Sequence, residues 1–318
     1  MESPNAGRWV HANKEADQTL QRSKIRQVIS FGRFRHLAWV EFDSRHYLAS
    51  VGYEYEPDSS ALLALDDIQG FDTCLLAEIP VQPKAHPLEV VNIVGAAKKG
   101  DADYNGHGNA DIMQLFPRIS VFECAGGMAD EYVWSTFLEI CVVESHYGGS
   151  WIEPPLSDSL ATLAQLNVPS LPYRELCRSV LDLDPRSLYM SLYRCLEATY
   201  AFEKASKLAA SLDVSLAWHQ VAAILDSEMG WRAPEAQSLN VALAHAQEGD
   251  LREICECLKV DVGQDLRASA GGAIYKLRNQ IVHYRPSRNQ LNFESIDWNR
   301  ACNLLVAIAL DVFHRAYA

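Results

Sequence analysis

The 318-residue chain is short of several things, and each shortage narrows the reading. It nowhere holds 18 uninterrupted apolar residues, which argues against a membrane-crossing helix. Met1–Ile25 is polar and charged and has no apolar centre, so it does not read as a secretory signal. Basic residues are outnumbered, with 28 Lys and Arg against 41 Asp and Glu and a net charge of −13. That balance speaks against a protein that coats nucleic acid with a basic surface. Glycine (17) and proline (13) are unremarkable in number, and no repeat or low-complexity tract appears, which removes fibrous and disordered classes. The eight cysteines are scattered singly through apolar runs, as at Cys74, Cys124, Cys141, Cys177, Cys195 and Cys302. They are expected to be buried reduced thiols, because disulfide frameworks belong to short secreted chains. The resulting expectation is a cytoplasmic globular protein with no membrane partner, long enough for two domains.

What is present is uneven. Asp184–Ala318 holds 14 Lys and Arg against 16 Asp and Glu, which leaves 14 against 25 for the first part. Within the second part, Leu266–Phe293 contains Arg267, Lys276, Arg278, Arg285 and Arg288 and no carboxylate.

The patterning predicts an α+β protein. Ile25–Val51 has short aromatic and β-branched runs with partial alternation, as half-buried strands do. Leu75–Val81, Leu88–Val94 and Ile119–Cys124 are read as further strands, and Val133–Val143 as strand or helix, since period alone does not decide. His146–Ser159 combines Gly-Gly and Pro-Pro without a period and reads as a domain edge. Beyond it the chain turns helical. Asp184-Pro185 opens a long helix whose apolar stripe runs from Leu188 through Leu192, Cys195, Leu196, Thr199 and Phe202 to Leu208. Further helices are expected over Val214–Met229, Asp250–Leu258, about Gln264–His283 and about Ile296–Tyr317. The domains expected are a β-rich or α+β sensing or regulatory domain (1–150), a linker with a short helix (151–183), and an all-α bundle of about four principal helices (184–318).

The segment richest in chemistry is Lys276-Leu277-Arg278-Asn279-Gln280-Ile281-Val282-His283-Tyr284-Arg285-Pro286. Asn279 and His283 are four apart and share a helix face, while the long Arg278 side chain reaches the same side. Pro286 stops the helix, which puts His283 in its last turn, where the dipole favours imidazolium. A guanidinium, an amide and a titrating imidazole suit a phosphodiester: Arg steadies the charged phosphorane and His moves protons near neutral pH. Equally, Arg and His near a helix end are ordinary dipole complements.

Arg278-Asn279-x-x-x-His283 on the penultimate long helix of a C-terminal bundle resembles the signature of HEPN domains. The likeness is greatest to those that end bacterial anti-phage (ApeA-like, abortive-infection) proteins. The first long helix, from Leu188, is similar to their opening helix, and the match spans about Asp184–Ala318. The resemblance implies a bundle that dimerises and brings two Arg-x4-His motifs across one cleft, and a metal-independent endoribonuclease acting on RNA. It assigns Arg278 and His283 as the catalytic pair and Asn279 as an auxiliary polar group, with Arg194 and Glu197 as supporting residues. Attack by the ribose 2′-OH would leave a 2′,3′-cyclic phosphate, and no cofactor is implied. Lys276, Arg285, Arg288 and Tyr284 are candidates for RNA contact. The acidic N-terminal half is a candidate receiver of a phage-derived or cellular trigger. Arg278→Ala and His283→Ala are expected to stop cleavage without lowering the melting temperature by much. The competing reading is a non-catalytic module in which the bundle dimerises or binds nucleotide while the N-terminal domain senses a ligand or partner.

Asp101–Asp111 (DADYNGHGNAD) offers a weaker motif. Asp103, Asn105 and Asp111 are spaced like the oxygen ligands of a calcium loop, but His107 stands where a carboxylate is expected. The reading is a polar turn, with no metal. Cys255-Glu256-Cys257 lacks the second pair that zinc needs.

Overall fold

The computed structural model describes residues 18, 19, 21–54, 62–65, 70–95, 109–125, 130–146, 150–283 and 293–318. The fold is α+β, and the chain divides into two compact units, Met1–Val133 and Trp134–Ala318.

The first unit is built on a five-stranded antiparallel sheet in the order β1-β2-β3-β5-β4. Its strands are β1 (Lys24–Phe31), β2 (Arg35–Phe42), β3 (Arg45–Val51), β4 (Leu62–Leu65) and β5 (Ile119–Cys124). The β2–β3 hairpin turns on Asp43 and Ser44, at φ 50° and 62°. Two left-handed residues in a two-residue turn match the right-handed twist of the strands they join. The register sets Ala38 opposite Ala49 and Val40 opposite Tyr47. These four, with Val51 and Val121, form the sheet's share of a core completed by Phe71, Leu75 and Ile79. Phe71 meets Tyr47 at 4.8 Å and stands edge-on to Phe42 at 5.8 Å.

Three strands of the first half and Ile119–Cys124 lie where their alternation predicts. Two other expected strands are helices. Leu75–Val81 begins within α1 (Phe71–Glu78), and Leu88–Val94 lies within α2 (Pro87–Gly95). In the first, Phe71, Leu75 and Ile79 recur every four residues and are buried together, a helical spacing hidden inside a short apolar run. In the second, Pro87 occupies the first helical position and Glu89 the first turn, both helix-opening features. A short α3 spans Asn109–Met113.

The second unit is helical. It comprises α4 (Asp130–Ser145, in whose first turn the division falls), α5 (Pro154–Ala164), α6 (Tyr173–Val180), α7 (Pro185–Glu197) and α8 (Phe202–Leu212). These are followed by α9 (Trp218–Met229), α10 (Glu235–Ala242), α11 (Glu248–Cys257), α12 (Leu266–Val282) and α13 (Trp298–Tyr317). Residues 151–183 hold two packed helices where a linker with one short helix was expected. Pro154 and Pro155 begin α5, since proline fits the first helical turn, and Leu156, Leu160 and Leu163 are fully buried. The stripe predicted as one helix from Leu188 to Leu208 is two, broken at residues 198–201. There Thr199 turns its hydroxyl onto the Leu196 carbonyl at 2.8 Å, a back-bond that competes with helix continuation. Residues 184–318 carry seven α-helices among the described residues, where about four principal ones were expected.

The α13 helix is the spine, packed against α5, α7 and α11. Its N-terminus is capped by Asp297, which accepts from the Arg300 amide, and ten of its residues from Ala301 to Ala316 are buried. None of the eight cysteines forms a disulfide among the described residues, and all but Cys257 are buried. No helix among the described residues is long and apolar enough to cross a membrane.

Candidate functional site: an arginine held by two glutamates

The site is built on α12. Asp265 caps it by accepting from the Ala268 amide at 3.1 Å, worth about 1 kcal/mol. Ala270, Ala273, Ile274 and Leu277 form its buried face. At Gly271 a Cβ would lie 2.3 Å from Asn240 Oδ1 and 3.3 Å from Leu243 Cδ1. The missing side chain lets α12 approach α10 closely. From α7, the fully buried Tyr189 donates its hydroxyl to the Ile274 carbonyl at 3.1 Å. In a regular helix that carbonyl also receives the Arg278 amide. The turn that carries Arg278 is thus tied to the first helix of the expected bundle.

This seating brings Arg278 to the last residue of α7 and the first of α10. Its Nη2 lies 3.2 Å from Glu235 Oε1 and 3.7 Å from Glu197 Oε1, and its Nη1 donates to Asn279 Oδ1 at 2.9 Å. The guanidinium carbon stands 5.5 Å from the centroid of the Tyr193 ring, a cation–π contact. Tyr193 donates its hydroxyl to Glu235 Oε1 at 3.0 Å and accepts from Tyr200 at 3.2 Å. The Arg278 side chain is 21% exposed, and its Nε is buried with no hydrogen-bond partner among the described residues. Burial raises the pKa of Glu197. Arg278 partly opposes that shift, and the neighbouring Glu235 adds to it. Burial likewise pushes up the Tyr193 and Tyr200 hydroxyls, so both remain neutral hydrogen-bonding groups.

His283 is placed differently. The helix ends at Val282, and His283 is its C-cap, with extended backbone angles of −102° and 112° and its amide on the Asn279 carbonyl at 2.9 Å. It is exposed. Asn279 turns its side chain to Arg278, so the expected Asn279–His283 face is joined through the backbone. Among the described residues no hydrogen bond or ion pair links Arg278 to His283.

Of the supporting residues, Glu197 is in the cluster. Arg194 is exposed one turn earlier on α7, near enough to lower the Glu197 pKa slightly, and lines a second cavity of 640 Å³ with Arg178, Arg186 and Ile281. Lys276 is exposed on α12. Tyr284, Arg285 and Arg288 lie outside the described residues, as do Asp103 and Asn105, while Asp111 is exposed in α3. The sequence reading missed Glu235, Tyr193 and Tyr200. Pro234-Glu235 is a helix-start signal, but its approach to Arg278 arises only in the fold.

Fold and site define an α+β protein whose helical unit centres on one arginine, two glutamates and two tyrosines. Compared with known proteins, the chain matches no family model, no curated protein and no solved structure.

Proposed function

We propose that the protein is a metal-independent endoribonuclease of the HEPN type, with Arg278 and His283 as its catalytic pair. The observation that carries this reading is the contrast at the end of α12. A guanidinium is held in fixed geometry by Glu235, Glu197, Asn279 and the Tyr193 ring, and an unencumbered imidazole sits five residues on. In the proposed reaction the ribose 2′-OH attacks its own phosphorus and passes its proton to one imidazole. The P–O5′ bond breaks, and a second imidazole protonates the departing 5′-oxygen. The products are a 2′,3′-cyclic phosphate and a 5′-OH. One chain offers one such histidine, so the proposal includes a homodimer that pairs two His283, with Arg278 stabilising the phosphorane. A phosphate arriving at Arg278 competes with the two carboxylates. A role in anti-phage defence, with the first unit as trigger receiver, follows from the resemblance alone.

The test is incubation of wild type and His283→Ala with total RNA in EDTA, followed by analysis of the cut ends. Loss of cleavage in the variant supports the reading, and cleavage by both overturns it. One observation favours the second reading, a non-catalytic bundle: Arg278 is already engaged by two carboxylates, as in a purely structural ion pair. An intact fold without nuclease activity would assign the cluster that role.

A further inference from the structure

Glu197 also lines a cavity of 370 Å³ within the same helical unit. Tyr200, His219 and Trp231 contribute aromatic surfaces, and five alanines, Ala222 and Ala223 among them, leave the space open. The volume is in the range of small-ligand sites. The His219 ring stacks on Tyr317 at 5.9 Å and 24°, and its Nδ1 is buried with no hydrogen-bond partner among the described residues. Lys204 Nζ stands 5.8 Å from the centroid of the Trp231 ring.

The lining selects among occupants. A purely apolar ligand would leave the Glu197 carboxyl facing hydrocarbon. A bare anion would meet the Glu197 carboxylate, while the Arg232 guanidinium in the lining is already engaged by Asp226 at 2.9 Å. A flat heteroaromatic ring with a polar edge satisfies both constraints, stacking on aromatic side chains and hydrogen-bonding at its rim, which is how single-stranded RNA bases are held. Glu197 connects this cavity to Arg278, 3.7 Å away.

We propose that the cavity receives an unpaired nucleobase of the RNA substrate, from a nucleotide adjoining the phosphate at Arg278. The inference rests on the ribonuclease reading, but its test does not use cleavage as the readout. The full chain is titrated in EDTA with a fluorescently labelled 2′-O-methyl oligonucleotide, which has no free 2′-OH to attack. Wild type, Trp231→Ala and Ala223→Leu are compared, each shown by thermal melting to be folded. Ala223 is exposed, so leucine there fills the cavity without entering the core. The expected result is binding by the wild type, and binding about tenfold weaker when the stacking surface is removed or the cavity filled. Wild-type affinity in both Trp231→Ala and Ala223→Leu, or no binding by the wild type, overturns the inference. Cleavage that depends on His283 alongside unaltered binding in the cavity variants rejects the cavity and leaves the ribonuclease standing. Trp231-dependent binding with no cleavage of natural RNA rejects the ribonuclease and leaves the cavity standing.

Discussion

The Arg278 guanidinium lies 3.2 Å from Glu235, a carboxylate 43 positions earlier in the chain that opens a different helix. This contact, with Glu197 at 3.7 Å, makes Arg278 part of the framework as well as of the proposed site. Arg278→Ala leaves two neighbouring carboxylates without their cation and is expected to cost about 1–3 kcal/mol, reduced from a fully buried pair by partial exposure. A nearly unchanged melting temperature is therefore expected of His283→Ala rather than of Arg278→Ala. Arg278→Lys keeps the charge but loses the planar fork, so it should be less destabilising while still failing to support cleavage. Urea midpoints of the two variants check the order.

His283 is the cleaner probe. It is exposed, and among the described residues its backbone amide is what it contributes to the end of α12. His283→Ala should change stability by less than about 0.5 kcal/mol, measured by thermal or urea unfolding.

Glu197 gives a dependence on pH. Its pKa in the fold is raised above the ordinary 4.5, chiefly by burial. Between those two values the folded chain holds a proton that the unfolded chain has released. The group's contribution to stability is full below 4.5 and is lost as pH rises through the raised value. Glu197→Gln removes that titration. Across roughly pH 4 to 8, wild-type stability should fall relative to Glu197→Gln as pH rises, within the window the raised pKa spans. A stability difference independent of pH would show that Glu197 titrates normally.

The first unit carries its own test. Gly52 sits at φ +75°, where an added Cβ would lie 2.2 Å from the Phe34 carbonyl oxygen, whereas Gly32, at φ +69°, has open space. Gly32→Ala should cost about 1–2 kcal/mol, the penalty of a left-handed alanine. Gly52→Ala adds a backbone collision and should cost clearly more. Denaturant midpoints of the two variants compare them directly.

Much of this architecture was readable from the chain, and the misses have physical causes. Alternation located the first three strands and β5, and the Asp184-Pro185 signal located the start of α7, because caps and pleats are local. The α12 and α13 helices begin two residues beyond the expected Gln264 and Ile296. Short apolar runs such as Leu75–Val81 read ambiguously, since four-residue spacing and a buried strand look alike over so few positions. Pro154-Pro155 read as a break although it begins a helix. Of the site, Arg278, Asn279 and Glu197 were identified and the structure brings them together. Glu235 and Tyr193 escaped notice because nothing local in their segments signals a partner on α12. The position of His283 just beyond the helix, rather than in its last turn, depended on where α12 ends.

The most direct measurement is the chemistry of the ends produced from a defined single-stranded RNA in EDTA, with wild type and His283→Ala compared at matched folded concentration. The account predicts fragments bearing 2′,3′-cyclic phosphate and 5′-OH from the wild type and none from the variant. Equal fragmentation by His283→Ala, or fragments with 5′-phosphate ends, would contradict it.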